Sequence, residues 1–217
     1  MAEDVIFSLR ELSKDTENKK LLQHGIILVG HSMGAKVALA AQFGTQDGWL
    51  LSKIRGLILI APAPPSPVNL PPEMKAQQEV AYESEESVRE TVKYVLAKPA
   101  NLTESDIDMI VRNSLAGNSL AKKAWPSYAM KEDISGLVKQ AIESAPWKVS
   151  QWLPPTVRVI MGEEDVVPMD RVQSEVVSFL ENQGIHVTTT VAKGVKHLLP
   201  LEAPELIAQE VRLFCCS

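Results

Sequence analysis

The apolar residues of the chain fall into two spacings, and one of them predicts strands. Four short apolar runs lie at residues 25–30, 54–61, 156–161 and 186–192. The first three are almost continuous in Ile, Leu and Val, which is typical of parallel strands covered on both faces. The fourth run alternates more with polar residues, so we expect it at an edge of the sheet.

The second spacing is helical, and it flanks each strand. Apolar residues recur every three or four positions, and Pro and Gly stand where such helices begin and end. Strands that alternate with helices imply right-handed crossovers in a parallel sheet. The sequence therefore predicts the α/β class, with a parallel sheet of about four strands and flanking helices. The apolar stripes are Val5-Ile6-Leu9-Leu12, residues 36–43, Val172-Val176-Phe179-Leu180 and Leu206-Ile207-Val211-Phe214.

Residues 62–153 interrupt this alternation. The segment begins with a proline-rich run that a central strand could not contain. Helix signals follow: Thr103 and Asp106 have the spacing of a capping box, and apolar residues from Ile134 to Ile142 recur at helical spacing. We expect a helical cap at 62–153, inserted into a core made of residues 1–61 and 154–217. Helices that merely complete the core are the alternative.

The most informative motif is Gly30-His31-Ser32-Met33-Gly34, which lies between a predicted strand and a predicted helix. In this position it predicts a nucleophile elbow, a sharp turn on which a serine takes a strained backbone conformation. We expect the two flanking glycines to relieve crowding there. The backbone N–H of Met33, at the helix N-terminus, would stabilise an oxyanion. A glycine-rich turn with an incidental serine is the alternative.

A serine nucleophile needs a base, and four histidines compete for that role. His24 and His186 precede strands, so they belong at the amino edge of the sheet. His31 lies inside the elbow and is expected to pack. His197 follows the last strand and therefore lies at the same carboxyl edge as Ser32, where ligands gather in open α/β sheets. We predict His197 as the base.

The loop after the third strand supplies the carboxylate that orients such a histidine. It contains Glu163, Glu164 and Asp165 ahead of Pro168. Asp165 is our choice because it lies deepest in the turn, and the two glutamates are the alternatives. The chain order serine, acid, histidine is that of α/β-hydrolases and not of chymotrypsin-like or subtilisin-like proteases.

Composition and charge limit the kinds of partner and cofactor that the chain is expected to bind. The 217 residues carry a net charge of −5 without a basic stripe, which argues against a nucleic-acid partner. The start lacks a signal peptide and no apolar run suits a membrane span, so we expect a cytoplasmic protein. The cysteines are Cys215 and Cys216 alone, and no His/Cys cluster has ligand spacing, so no metal or organic cofactor is predicted.

Three segments resemble the α/β-hydrolase superfamily, in its abhydrolase-1 or haloperoxidase-like esterase branch: VGHSMGAKVALA, VIMGEEDVVP and VKHLLPLEAPELI. The resemblance implies a serine hydrolase of an ester or related acyl bond of a small molecule, with Ser32, Asp165 and His197 as the triad and Met33 as an oxyanion donor. A serine at the elbow is unlike the aspartate of epoxide hydrolases and dehalogenases. An acyltransferase on the same fold is an alternative.

The resemblance also implies that a front segment is missing. Family members have four more strands before the helix that leads into the elbow strand. In those members the loop after the third strand of the complete family sheet gives the second oxyanion donor. We expect a chain truncated at its N-terminus by gene model, splicing or fragmentation. Its first strand would be an exposed apolar edge that could support self-association. A catalytically impaired remnant is the second alternative for function.

Overall fold

The structure is a computed structural model that describes residues 1–45, 48–145, 147 and 153–216. Helices and strands alternate along the chain as predicted, and all of the described helices are too short or too polar to cross a lipid bilayer. The elements are α1 Ala2–Leu12, α2 Thr16–Leu22, β1 Ile26–His31, α3 Met33–Gly44, α4 Gly48–Lys53, β2 Ile54–Ile60, α5 Pro72–Val80, α6 Glu85–Glu90, α7 Glu104–Ala116, α8 Ser119–Ser127, α9 Ser135–Glu143, β3 Thr156–Gly162, α10 Met169–Val172, α11 Ser178–Glu181, β4 Val187–Ala192, α12 Leu199–Glu202 and α13 Pro204–Cys216. Two π-helical turns, Thr91–Leu96 and Gln173–Val177, continue α6 and α10.

The four strands form one parallel sheet in the order β1-β2-β3-β4. Strand β2 pairs with β1 on one side and with β3 on the other, so that Ile58 lies opposite Val29 and Arg158. The predicted fold class is confirmed, and each predicted strand ends within one residue of the observed one. Both β1 and β4 are edge strands of the described sheet, as expected; self-association through β1 stays a prediction.

The expected burial of the strands is right for β2 and β3 and wrong for β1. In β2 only Arg55 is exposed, and Val157, Val159 and Ile160 of β3 are fully buried. Val29 of β1, by contrast, keeps 52% of its surface exposed. A continuous apolar run predicts a strand, but the neighbours that cover the strand are not encoded in the run itself.

Contacts divide the chain into two units, each of which has its own packing. The first contains Met1–Pro65, Asp133–Ile160 and Asp170–Thr190, and therefore most of the sheet together with α3 and α9. The second contains Ser66–Glu132, Met161–Met169 and Val191–Ser217. The segment 62–153 contributes to both units, so the boundaries of the cap stay a prediction.

The second unit is held by an apolar cluster between the predicted cap helices. It is formed by Val88, Val92, Ala97, Ile107 and Val111. Helix α7 begins with the predicted capping box: the Asp106 N–H donates to Thr103 Oγ1 at 3.2 Å, and the Thr103 N–H donates to Asp106 Oδ2 at 2.8 Å. This reciprocal pair satisfies two backbone groups and fixes the helix start.

The opposed pair Ile58 and Val29 gives a stability test of this sheet. Ile58→Ala should lower the free energy of unfolding by about 2–5 kcal/mol. The Ile58 side chain has no exposed surface, so its truncation leaves a cavity in the core. Val29→Ala on the half-exposed partner position should cost less than about 1 kcal/mol. Urea denaturation of both variants checks the contrast, and equal losses would contradict the burial described here.

Candidate active site

Ser32 lies at the turn from β1 into α3 with an unusual backbone conformation. Its φ of 55° and ψ of −118° lie outside the φ/ψ regions that a non-glycine residue ordinarily adopts. Such a conformation costs about 1–3 kcal/mol and persists only where neighbours hold it. Here the Ser32 N–H donates to Ile60 O at 2.9 Å, and Ser32 O accepts from the Ala63 N–H at 3.1 Å and the Ala35 N–H at 3.0 Å.

The two glycines of the motif have different roles. A Cβ on Gly30 would lie 2.4 Å from Gly34 O and 2.7 Å from Ala35 Cα, so only glycine lets the strand pass the first turn of α3 this closely. A Cβ on Gly34 would meet no atom of the described residues within 4 Å apart from its chain neighbours and the backbone of its own helix. The expectation that both glycines relieve crowding is therefore right for Gly30 and wrong for Gly34.

Met33 is the first residue of α3. The first N–H groups of a helix have no acceptor within it, and the helix dipole adds positive potential at this end. As the first residue of α3, Met33 has an N–H without an acceptor inside the helix. Its role as an oxyanion donor stays a prediction.

Asp165 and His197 meet in the second unit. His197 Nδ1 lies 2.9 Å from Asp165 Oδ1 and 3.1 Å from Oδ2, and the two side chains are only 10% and 3% exposed. The Val167 N–H also donates to Asp165 Oδ1 at 2.9 Å. A carboxylate at Nδ1 favours the tautomer with the proton on that nitrogen, in which Nε2 is the basic atom of the ring.

The two alternative acids have other partners. Glu163 accepts a hydrogen bond from the Gly194 N–H at 2.9 Å, and Glu164 pairs with Lys98 Nζ at 2.7 Å. The hydrogen bond to Glu164 is the main reason why the pKa of Lys98 is raised. Among the three carboxylates of this loop, Asp165 is the one on His197.

The remaining histidines lie where the sequence predicted. His24 and His186 are exposed and precede β1 and β4, at the amino ends of those strands. His31 is the last residue of β1 and is half-buried. Within the described ranges there is no group of three or more His, Cys, Asp or Glu side chains placed to hold a metal ion.

The loop that carries His197 is restrained by Glu202, a residue that the sequence analysis missed. Its carboxylate accepts hydrogen bonds from the Lys196 N–H at 3.3 Å and the Leu198 N–H at 3.1 Å, which flank the histidine. It also accepts from the Lys98 N–H at 2.9 Å and from Asn101 Nδ2 at 3.3 Å. The spacing of four residues between Leu198 and Glu202 was the one signal in the sequence that pointed to it.

Close backbone contacts restrain the same loop from another side. The N–H groups of His197 and Leu198 both donate to Leu96 O, at 2.9 Å and 3.1 Å. A Cβ on Gly162, at the end of β3, would lie 2.1 Å from Lys196 O. Only a glycine allows the strand end to approach the histidine loop this closely.

The structure thus brings together the predicted residues in two groups. Asp165 and His197 form a hydrogen-bonded pair in the second unit, and Ser32 and Met33 form the elbow in the first. Each group follows the carboxyl end of a strand: Ser32 follows β1, Asp165 follows β3, and His197 follows β4.

The different surroundings of Gly30 and Gly34 can be tested by comparing the stability of an alanine variant at each position. Gly30→Ala should destabilise the fold by at least about 1–3 kcal/mol, because its Cβ would collide with backbone atoms that cannot rotate away. Gly34→Ala should be neutral or stabilising by up to about 1 kcal/mol, because alanine favours the helix. Urea denaturation measures both, and a Gly34→Ala variant as unstable as Gly30→Ala would contradict the described geometry.

The hydrogen bonds of Glu202 give a second test. Glu202→Gln should lower the free energy of unfolding by about 1–3 kcal/mol, because an amide has one acceptor oxygen and turns N–H groups toward the donors. Glu205→Gln, exposed on the next helix, is the matched control and should change it by less than about 0.5 kcal/mol. Thermal and urea unfolding check this, and indistinguishable variants would show that the carboxylate does not hold the loop.

Several solved structures share this fold. An esterase from Exiguobacterium antarcticum is 18% identical, with a TM-score of 0.73, and the match covers 100% of this chain and 73% of that one. A bromoperoxidase from Bacillus anthracis is 14% identical, with a TM-score of 0.67 over 89% of this chain and 68% of that one. A carboxylesterase from Bacillus subtilis is 15% identical, with a TM-score of 0.64 over 89% and 60%. The chain therefore spans less than two thirds of that carboxylesterase.

Sequence comparison identifies the family. Among curated proteins no sequence matches this one significantly. A family model described as the alpha/beta hydrolase family matches residues 4–210, which is nearly the whole chain. The strand order, the elbow and the matched segment agree, and the chain belongs to the alpha/beta hydrolase family.

Proposed function

We propose that this hydrolase cleaves an ester or related acyl bond of a small molecule through a triad of Ser32, His197 and Asp165. The hydrogen-bonded pair of Asp165 and His197 carries the proposal. A nearly buried carboxylate 2.9 Å from Nδ1 serves to orient an imidazole and to stabilise its protonated form. The strained conformation of Ser32, at the start of a helix, is the second support.

The topology supports the joining of these groups. Ser32, Asp165 and His197 follow three strands of one parallel sheet, and parallel strands end at a common edge. The other two acids of the Asp165 loop are engaged by Gly194 and Lys98, which favours Asp165 as the partner of the base. The names of the esterase and carboxylesterase neighbours suggest the ester substrate class.

In the proposed mechanism Ser32 Oγ attacks the carbonyl carbon while His197 Nε2 takes its proton. The carbonyl oxygen becomes an oxyanion that the Met33 N–H stabilises, and loss of one such donor costs roughly 3 kcal/mol in other hydrolases. His197 then protonates the leaving alcohol, which departs and leaves an acyl-serine. Water attacks that ester with His197 again as the base, so the acid is released and Ser32 is regenerated.

Residues outside the triad would position His197 and select the substrate. Glu202 holds the backbone on both sides of His197, which makes it a positioning residue for the base. The helices of the predicted cap, residues 62–153, would shape the pocket for the acyl or alcohol group. This assignment of the cap is part of the proposal.

A fluorophosphonate probe and a short-chain nitrophenyl ester test the mechanism. Wild-type protein should react with the probe, and labelling should disappear in Ser32→Ala and His197→Ala. Asp165→Asn should reduce kcat for the ester by about 10⁴-fold, because the imidazole then adopts the wrong tautomer. Glu164→Gln is the matched control and should retain kcat within a few-fold, since Glu164 pairs with Lys98.

Two results would contradict the proposal. One is a folded wild-type chain that never reacts with the probe, which would indicate a non-catalytic member of the family. The other is a loss of activity in Glu164→Gln equal to that in Asp165→Asn, which would assign the carboxylate differently. Far-UV circular dichroism of each variant shows that the comparison is made on folded protein.

A further inference from the structure

The feature with no place in the proposed mechanism is a buried glutamine in α3. Gln42 is 1% exposed, yet neither Oε1 nor Nε2 has a hydrogen-bond partner among the residues that the structure describes. The amide can donate two hydrogen bonds and accept two, so burial leaves its full capacity unused. Buried polar side chains are nearly always hydrogen-bonded, because desolvation without a partner costs free energy.

Gln42 also forms part of the wall of a cavity of about 430 Å³. That size falls in the range of small-molecule pockets. The cavity lies in the first unit, between the C-terminal end of α3, α4 and α9. The other described lining residues are Phe43, Gly44, Thr45, Leu51, Leu137, Gln140, Ala141, Ser144, Ala145 and Trp147.

The wall restricts the chemistry of an occupant. None of the described lining residues carries a charge, so they offer no charged partner to a carboxylate or an ammonium group. Phe43, Leu51, Leu137 and Trp147 give an apolar surface for a ring or chain. Rotation of the Gln42 amide toward the cavity would break no hydrogen bond with a described residue.

We propose that this cavity binds a small neutral molecule with a primary carboxamide or lactam group. Such a group presents an N–H and a C=O side by side. Gln42 Oε1 would accept from the ligand N–H while Nε2 donates to the ligand C=O, which satisfies both halves of the amide at once. The apolar body of the ligand would lie against the aromatic and aliphatic wall.

The site is separate from the elbow and does not depend on the proposed function. Gln42 lies ten residues beyond Ser32, which is about 15 Å along the helix axis. Ser32 starts α3 at the carboxyl end of β1, whereas Gln42 lies in its last turn. A ligand at Gln42 would therefore leave the nucleophile uncovered.

Calorimetric titration with benzamide tests the proposal on the full chain. We expect benzamide to bind the wild type and Ser32→Ala with equal affinity, because the cavity does not involve the nucleophile. Binding should be at least about tenfold weaker in Gln42→Met, which keeps the side-chain length but removes the amide. Gln209→Met, which removes an exposed amide from α13, should bind like the wild type.

Two further measurements separate binding from a merely structural effect. N,N-dimethylbenzamide lacks the N–H and should bind the wild type at least about tenfold more weakly than benzamide. Ala141→Leu narrows the cavity and leaves Gln42 in place, and it should weaken benzamide binding to a similar extent. The melting temperature of Gln42→Met should not fall, because the variant removes an unpaired buried amide.

Three results would overturn the proposal. Wild-type protein that binds no benzamide at millimolar concentration would show that the cavity holds water only. Equal affinity in Gln42→Met and wild type would show that benzamide binds elsewhere. Loss of binding in Ser32→Ala alone would place benzamide at the elbow instead of the cavity.

Discussion

The parallel pairing of β2 with both of its neighbours is the constraint on which the rest of the structure depends. It brings β1, β2 and β3 into one sheet with a common direction, so the residues that follow the strands leave from one edge. Ser32 is held at its unusual φ by hydrogen bonds to the end of β2 and the residues after it. Without that pairing the turn would relax, because the serine gains nothing from this conformation on its own.

The Asp165–His197 pair depends on a second set of restraints, which are backbone contacts in the loops that follow β3 and β4. The Lys196 carbonyl lies so close to Gly162 that a side chain at that position would not fit. Leu96 O and the Glu202 carboxylate together accept the N–H groups of residues 196–198. The histidine therefore lies in a loop whose main chain is restrained at each residue, and the proposed role as a base requires such a restraint on the imidazole.

The same helix that starts at the elbow ends at a cavity whose described lining residues are uncharged and include the buried Gln42, which makes no side-chain hydrogen bond with a described residue. The partly buried Glu202 carboxylate shows the usual pattern, because it accepts four hydrogen bonds. Gln42 departs from that pattern, and a departure of this kind marks either a strained site or a site that awaits a partner. Helix α3 thus connects two energetically unfavourable positions, the strained backbone of Ser32 and the buried amide of Gln42.

The sequence by itself determined the strands, the fold class and the residue types of the candidate site. Apolar runs and the Gly30–Gly34 motif are local patterns, and local patterns are fixed by short-range sterics and periodicity. The tertiary structure decided which of Glu163, Glu164 and Asp165 reaches His197, because adjacent acids in one loop differ only in the direction in which the folded chain points them. It also decided that half of the Val29 surface is exposed and that position 34 does not require a glycine. The hydrogen bonds that Glu202 accepts and the burial of the Gln42 amide are likewise features of the folded chain. Each of these depends on contacts between segments far apart in the chain, and such contacts leave no periodic trace in the sequence.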